Sequence, residues 1–248
     1  SKNNDTYKPL TLSQMELINI PKNLNGENNV LKENYDLLYG KYPSKENELL
    51  LVLDSKNRVS ESILSSLNLD ITKESFDFKD IIDKELKLVF NDEYYKSIGS
   101  GIFTLNTDFE KLYNSDDSLT LKIIGIVRGK EEKKAILASS SGLSYSDDLV
   151  EYVICKNKDS DIVKAQQKSS FNVLTGEKIE SNEDGKKLKE NLVAYLGGDG
   201  IPMIINLYPK DFESKDLILE YLDEYNEGKE VETQILYTDL GEMISSMS

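Results

Sequence analysis

Whatever chemistry this chain performs has to rest on carboxylates, Lys, Tyr and hydroxyl groups, because it contains no His and a single Cys, Cys155. Without an imidazole there is no Ser-His or Cys-His pair and no His-liganded zinc, and one thiol cannot build a thiolate cluster. The stretch Ser139-Ser-Ser-Gly-Leu-Ser-Tyr-Ser146 contains Gly142-x-Ser144 but lacks the closing Gly of a nucleophile elbow, and it has no imidazole base. It reads as a loop. Asn157-Lys-Asp159-Ser-Asp161 opens like a calcium loop, yet the sixth position is Ile162 rather than Gly and the twelfth is Lys168 rather than Glu. Asp159 or Ser160 capping a following helix accounts for it better. Gly197-Gly-Asp-Gly200 follows a helical stretch and opens a strand, the reverse of a phosphate cradle, and reads as a turn. The residues therefore point to no catalytic group, cofactor or metal. One pairing stays open: among 45 Asp and Glu, two carboxylates could face one cleft as in a glycosidase, with some of the 14 Tyr as sugar platforms although Trp is absent.

The elements that would position any site follow an α+β pattern. Leu10 to Ile18 alternates weakly as a strand and Pro21 closes it. Tyr35-Asp-Leu-Leu-Tyr-Gly-Lys-Tyr-Pro43 turns at Gly40 and Pro43 and leads into the apolar strand Glu48 to Leu53. Ser60 is the N-cap of a helix whose inward face is Ile63, Leu64 and Leu67, with Val59 as a hydrophobic staple. Strands are expected at Leu86 to Phe90 and at Leu119 to Val127, and a short helix at Asp161 to Gln167. Leu149-Val-Glu-Tyr-Val-Ile-Cys155 reads as a strand that buries Cys155 as a structural thiol.

The last third predicts a strand, helix and strand. Met203 to Tyr208 is the first strand, and Ser214 to Asn226 the helix, with Leu217, Ile218, Tyr221, Leu222 and Tyr225 on its apolar face. Gln234 to Tyr237 is the returning strand, which suits a right-handed crossover if the strands are parallel. Asp239 then caps a helix with Glu242 as its box partner, and Leu240, Met243, Ile244 and Met247 recur on one face. No stop signal follows, so the natural protein is expected to continue, as an ectodomain would when excised just before a membrane.

Composition limits the partners. The formal charge is −15, with the acids spread along the chain, which argues against nucleic acid and favours cationic peptides. Apolar runs such as Glu48 to Leu53 fall far short of the ~18 residues that span a bilayer, and no signal peptide is visible at Ser1-Lys-Asn-Asn-Asp5.

Several blocks together carry a resemblance. Tyr35 to Pro43 with Asn47-Glu48-Leu49, Leu121-Lys-Ile-Ile-Gly-Ile-Val-Arg128, Ser160-Asp-Ile-Val-Lys-Ala-Gln166, and Tyr208 to Asn226 before Tyr237-Thr-Asp-Leu240 look like the extracytoplasmic domain of MacB/FtsX-like ABC transporter permeases. More narrowly, they are similar to the fused ATPase-permeases of low-GC Gram-positive bacteria. The blocks span residues 33 to 248 in the family's order, and their specificity lies in number and order, since each is a packing or turn pattern.

The resemblance implies a non-enzymatic external domain at the cell membrane that relays ATP-driven movement to an external substrate or partner, in efflux or in peptide and antibiotic resistance. No Gly-x-x-x-x-Gly-Lys-Ser/Thr occurs, so the ATPase and the membrane helices of the parent would lie elsewhere. It further implies an insertion-type lobe at 35–135, a porter-like βαβ lobe at 136–238, and at 239–248 a helix leading to a membrane span, while residues 1–34 match it weakly and read as an N-terminal strand segment. Tyr237, Thr238, Asp239, Leu240, Met243 and Ile244 would then be the coupling residues next to the membrane. Two rivals are a carboxylate-dependent hydrolase of wall glycans and a stand-alone surface binding module.

Overall fold

Residues 119–129 alternate around a β-branched centre, and they form the longest strand among the described residues. In the computed structural model the described residues are 2–3, 6–7, 9–10, 16–20, 30–130, 141–199, 205, 207, 209, 211–239 and 242. Their fold is α+β with mixed sheets. In chain order the strands are β1 (Lys2–Asn3), β2 (Thr6–Tyr7), β3 (Ile18–Asn19), β4 (Tyr35–Gly40), β5 (Glu48–Leu53), β6 (Glu85–Leu88), β7 (Tyr95–Gly99), β8 (Ile102–Leu105), β9 (Leu119–Gly129) and β10 (Gly142–Tyr145). The α-helices are α1 (Val30–Asn34), α2 (Glu61–Ser66), α3 (Asn91–Tyr94), α4 (Phe109–Tyr113), α5 (Asp147–Asn157), α6 (Asp161–Lys168), α7 (Glu183–Tyr195) and α8 (Phe212–Asn226).

The chain divides into two units, Ser1–Glu131 with Ser139–Ile201 and Glu132–Ala138 with Pro202–Ser248. The first holds a six-stranded mixed sheet in the order β3-β10-β5-β9-β4, with β6 also on β9. β5 lies parallel to β9 and antiparallel to β10, and all six of its residues are buried. Burial on both faces is why Leu49–Leu53 is a continuous apolar run rather than an alternation. Leu49, Leu51 and Ile123 pack in one core with Ile63 and Leu67 from α2 and its C-cap. Helix α2 starts where Ser60 Oγ accepts the N–H of Ile63 at 3.4 Å, so the expected cap and buried face both hold. A second core gathers Ile162, Val163, Val173 and Leu196, beside the hairpin β7–β8.

Four expectations are corrected. Leu149–Cys155 is not a strand but the body of α5, which begins after Ser146 with Asp147 and Asp148 in its first turn. Its β-branched residues mimic a strand, but Leu149, Tyr152 and Val153 fall at helical spacing, and Cys155 is exposed rather than buried. Within the Ser-rich stretch Gly142–Tyr145 is a strand, not a loop, and Ser144 is buried between Leu50 and Ile18. In the second unit Gln234–Tyr237 forms no ladder. The backbone of Ile235 pairs with a side chain instead: Asn226 Nδ2 donates to the Ile235 carbonyl at 2.9 Å, and the Ile235 N–H donates to Asn226 Oδ1 at 2.7 Å. Finally, α8 begins at Phe212, where Asp211 accepts the N–H of Ser214 at 2.8 Å, and it turns Leu217, Tyr221 and Tyr225 outward. Ile218 and Leu222 are half-buried as expected, with Leu219 beside them. Most of the expected strands at Met203 to Tyr208 and Leu10 to Ile18 lie outside the described residues, so the crossover unit has neither strand on view.

Candidate functional site

The six coupling residues expected from the sequence divide in two. Leu240, Met243 and Ile244 lie outside the described residues, whereas Tyr237, Thr238 and Asp239 belong to an extended segment that follows a 3-10 turn at Val231–Thr233. That segment is reached by a tight exit from α8. Gly228 takes φ +74, a value that suits glycine, and the chain reverses so that residues 234–239 run back beside the helix.

Three side chains of α8, Lys215, Asp223 and Asn226, hold this returning segment. Asn226 pairs with both backbone groups of Ile235, as given above. The Tyr237 hydroxyl donates to Asp223 Oδ1 at 2.6 Å, and that bond, followed by burial, raises the phenol above its ordinary pKa. Lys215 Nζ donates to Asp239 Oδ2 at 2.7 Å, with the two side chains 26% and 13% exposed. The hydrogen bond to Asp239 is the main reason the Lys215 ammonium sits above its usual value.

Asp239 also serves the chain that follows. Its Oδ1 accepts the N–H of Glu242 at 3.1 Å, the geometry of an N-cap bonding the third residue of a helix. One carboxylate therefore closes an ion pair to Lys215 of α8 with one oxygen and accepts the Glu242 N–H with the other. The sequence reading found this cap, because the Asp-x-x-Glu spacing is a local signal. It missed Lys215, Asp223 and Asn226, because helix residues that hold a distant segment carry no mark in the sequence.

The remaining chemistry is sparse. Along α8, Glu220, Asp223, Glu224 and Glu227 line an open acidic hollow with Asn226. Among the described residues no three His, Cys, Asp or Glu converge on a point that could hold a metal ion, and no helix is long and apolar enough to cross a membrane. Asn157 and Asp161 are engaged in structure: Asn157 Oδ1 accepts the N–H of Asn91 at 3.1 Å, and the N–H of Asp161 donates to Asp92 Oδ1 at 2.8 Å. The chain matches no protein-family model, no curated protein and no solved structure.

Proposed function

We propose that the chain is an external domain of an ABC transporter permease that relays ATP-driven conformational change outside the cell, the role its sequence blocks resemble. The membrane helices and ATPase of the parent are its working partners in this reading, and it performs no catalysis itself. The observation that supports it is the fastening of residues 234–239 along α8. A segment held by Asn226, Asp223 and Lys215 within a few turns moves with the helix, whereas a free Gly/Ser linker would absorb the displacement. Asp239 extends that fastening to the Glu242 N–H, toward the side from which displacement of a membrane helix would arrive.

The test is made in the full-length parent. Inserting about ten Gly/Ser residues after Tyr237 should abolish transport or resistance while expression and basal ATP hydrolysis persist. Full transport by the insertion variant would sink the relay and favour a tethered binding module.

A further inference from the structure

Helix α8 has three sectors rather than two. Ile218, Leu219 and Leu222 point inward, and they share that side with Lys215 and Asn226, which hold the returning segment. At about 100° per residue, Leu217, Tyr221 and Tyr225 share a second stripe, and they are 61%, 66% and 44% exposed. Glu213, Asp216, Glu220 and Glu224 form a third, solvent-facing stripe that borders the second. The helix's single Lys, Lys215, is committed to Asp239. Lys229 Nζ sits 2.8 Å from the centre of the Tyr225 ring, so the open part of the stripe is Leu217 and Tyr221, beside an acidic ridge on a helix of 15 residues.

We propose that this outer face is a docking surface for a cationic amphipathic helical segment, which would lay its apolar side on Leu217 and Tyr221 and its Lys or Arg flank against Glu220 and Glu224. Charge decides the occupant. A second copy of this chain brings −15 to a ridge that is already acidic, and an anionic lipid surface is repelled in the same way. A basic segment is attracted at long range and then buries apolar area that water now covers. The aromatic residues suit it further, since Tyr rings present rigid surface to aliphatic side chains and to cations alike. The surface belongs to the helix itself and does not depend on attachment to a membrane.

The experiment titrates the isolated 248-residue chain with a fluorescent synthetic peptide of Leu and Lys, about 15 residues long to match the helix, with Leu at i, i+3, i+4 and i+7. Saturable binding that weakens several-fold with added salt is expected. The double variant Leu217→Ser/Tyr221→Ser should weaken it at least ~10-fold, and Glu220→Gln/Glu224→Gln roughly 5-fold. All of these side chains are exposed, so circular dichroism should show an unchanged helix content. A peptide of the same composition with its Leu scattered around the helix separates docking from charge attraction alone. Equal binding by the scattered peptide, or by the Ser variant, overturns the proposal. So does self-association of the wild-type chain that the Ser substitutions abolish, because the occupant would then be a second copy. Tyr221→Cys in a Cys155→Ser background closes the last route: slow thiol labelling of the peptide-free chain would mean the stripe is already covered from within. Binding is read on the isolated chain, so its failure is distinct from a failure of coupling in the parent.

Discussion

Gly40 and Gly125 stand directly opposite each other where β4 leaves β9, and neither position has room for a side chain. A Cβ on Gly125 would fall 2.2 Å from the Lys41 carbonyl oxygen and 2.7 Å from Leu50 Cδ2, and one on Gly40 would fall 2.2 Å from the Ile124 carbonyl oxygen. Gly40 also takes φ +77, so an alanine there would be strained even with space. The close approach lets the Lys41 N–H reach the Ile124 carbonyl at 3.0 Å and bring the Lys41 side chain to Glu48.

Gly125→Ala and Gly40→Ala should each destabilise the first unit by about 2–3 kcal/mol, through overpacking and backbone strain. Urea unfolding measures this, and an unchanged midpoint for Gly125→Ala would mean that β4 is not held against β9 in solution.

Glu48 should give the first unit a marked acid sensitivity. Burial by itself raises its pKa, but the N–H of Ser44, the Lys41 ammonium and the Ser44 hydroxyl outweigh burial and bring it to about 2. A folded pKa below the unfolded value means stability that is present above about pH 4.5 and lost as pH falls toward 2. The Glu48 side chain is only 10% exposed, but its partner Lys41 is 64% exposed and screened by water, so the contribution is roughly 1–2 kcal/mol near neutrality. Urea titrations of wild type and Glu48→Gln should differ most near pH 6 and converge toward pH 2. Parallel pH profiles for the two proteins would exclude this role.

Asn91 ties α3 to two distant parts of the chain. Its Nδ2 donates to Ser160 Oγ at 3.0 Å and to the Leu196 carbonyl at 2.7 Å, and it is 9% exposed. Asn91→Asp keeps the shape but removes both donors and turns a carboxylate toward that carbonyl. A loss of about 2–3 kcal/mol is expected, with Asn91→Leu destabilising comparably because it strands the Leu196 carbonyl. Thermal unfolding of both variants checks it, and a neutral Asn91→Asp would show that the network is not formed.

The inward and outward sides of α8 separate cleanly by mutation. Leu219→Asp and Leu222→Asp should loosen the second unit, since each places a carboxylate among half-buried apolar groups. Leu217→Asp and Glu224→Lys should stay within about 0.5 kcal/mol. Amide exchange along residues 212–226 reads the difference, and equal loss of protection for Leu217→Asp and Leu219→Asp would put the helix in the wrong rotation.

What could be read from the sequence was what depends on near neighbours. β5 declared itself because burial on both faces makes Leu49–Leu53 an unbroken apolar run, and α2 because Ser60 and the spacing of Ile63 and Leu67 are local. The cap at Asp239 was legible for the same reason. The α5 segment was misread because Val-x-x-Val-Ile carries strand propensity that its acidic first turn overrides. The rotation of α8 was half legible: its apolar positions cover too wide an arc for one face, and only the returning segment decides which of them turn inward. For residues 234–237 the apolar content suggested a strand, but the partner of Ile235 is a carboxamide from Asn226, which no periodicity encodes.

The strand order of the six-stranded sheet has a consequence for the chain before it is folded. No strand in it pairs with the strand next to it in sequence: β3 waits for β10, β5 waits for both β9 and β10, and even β6 meets β9 only after the β7–β8 hairpin. Closing such distant pairs costs loop entropy before any contact returns it, so this sheet folds slowly for its size. During synthesis Glu48–Leu53 emerges as an unpaired apolar strand long before Ile123 and Leu143 exist to cover it. The interval between those two events is when the nascent chain is most exposed to aggregation and most in need of a chaperone.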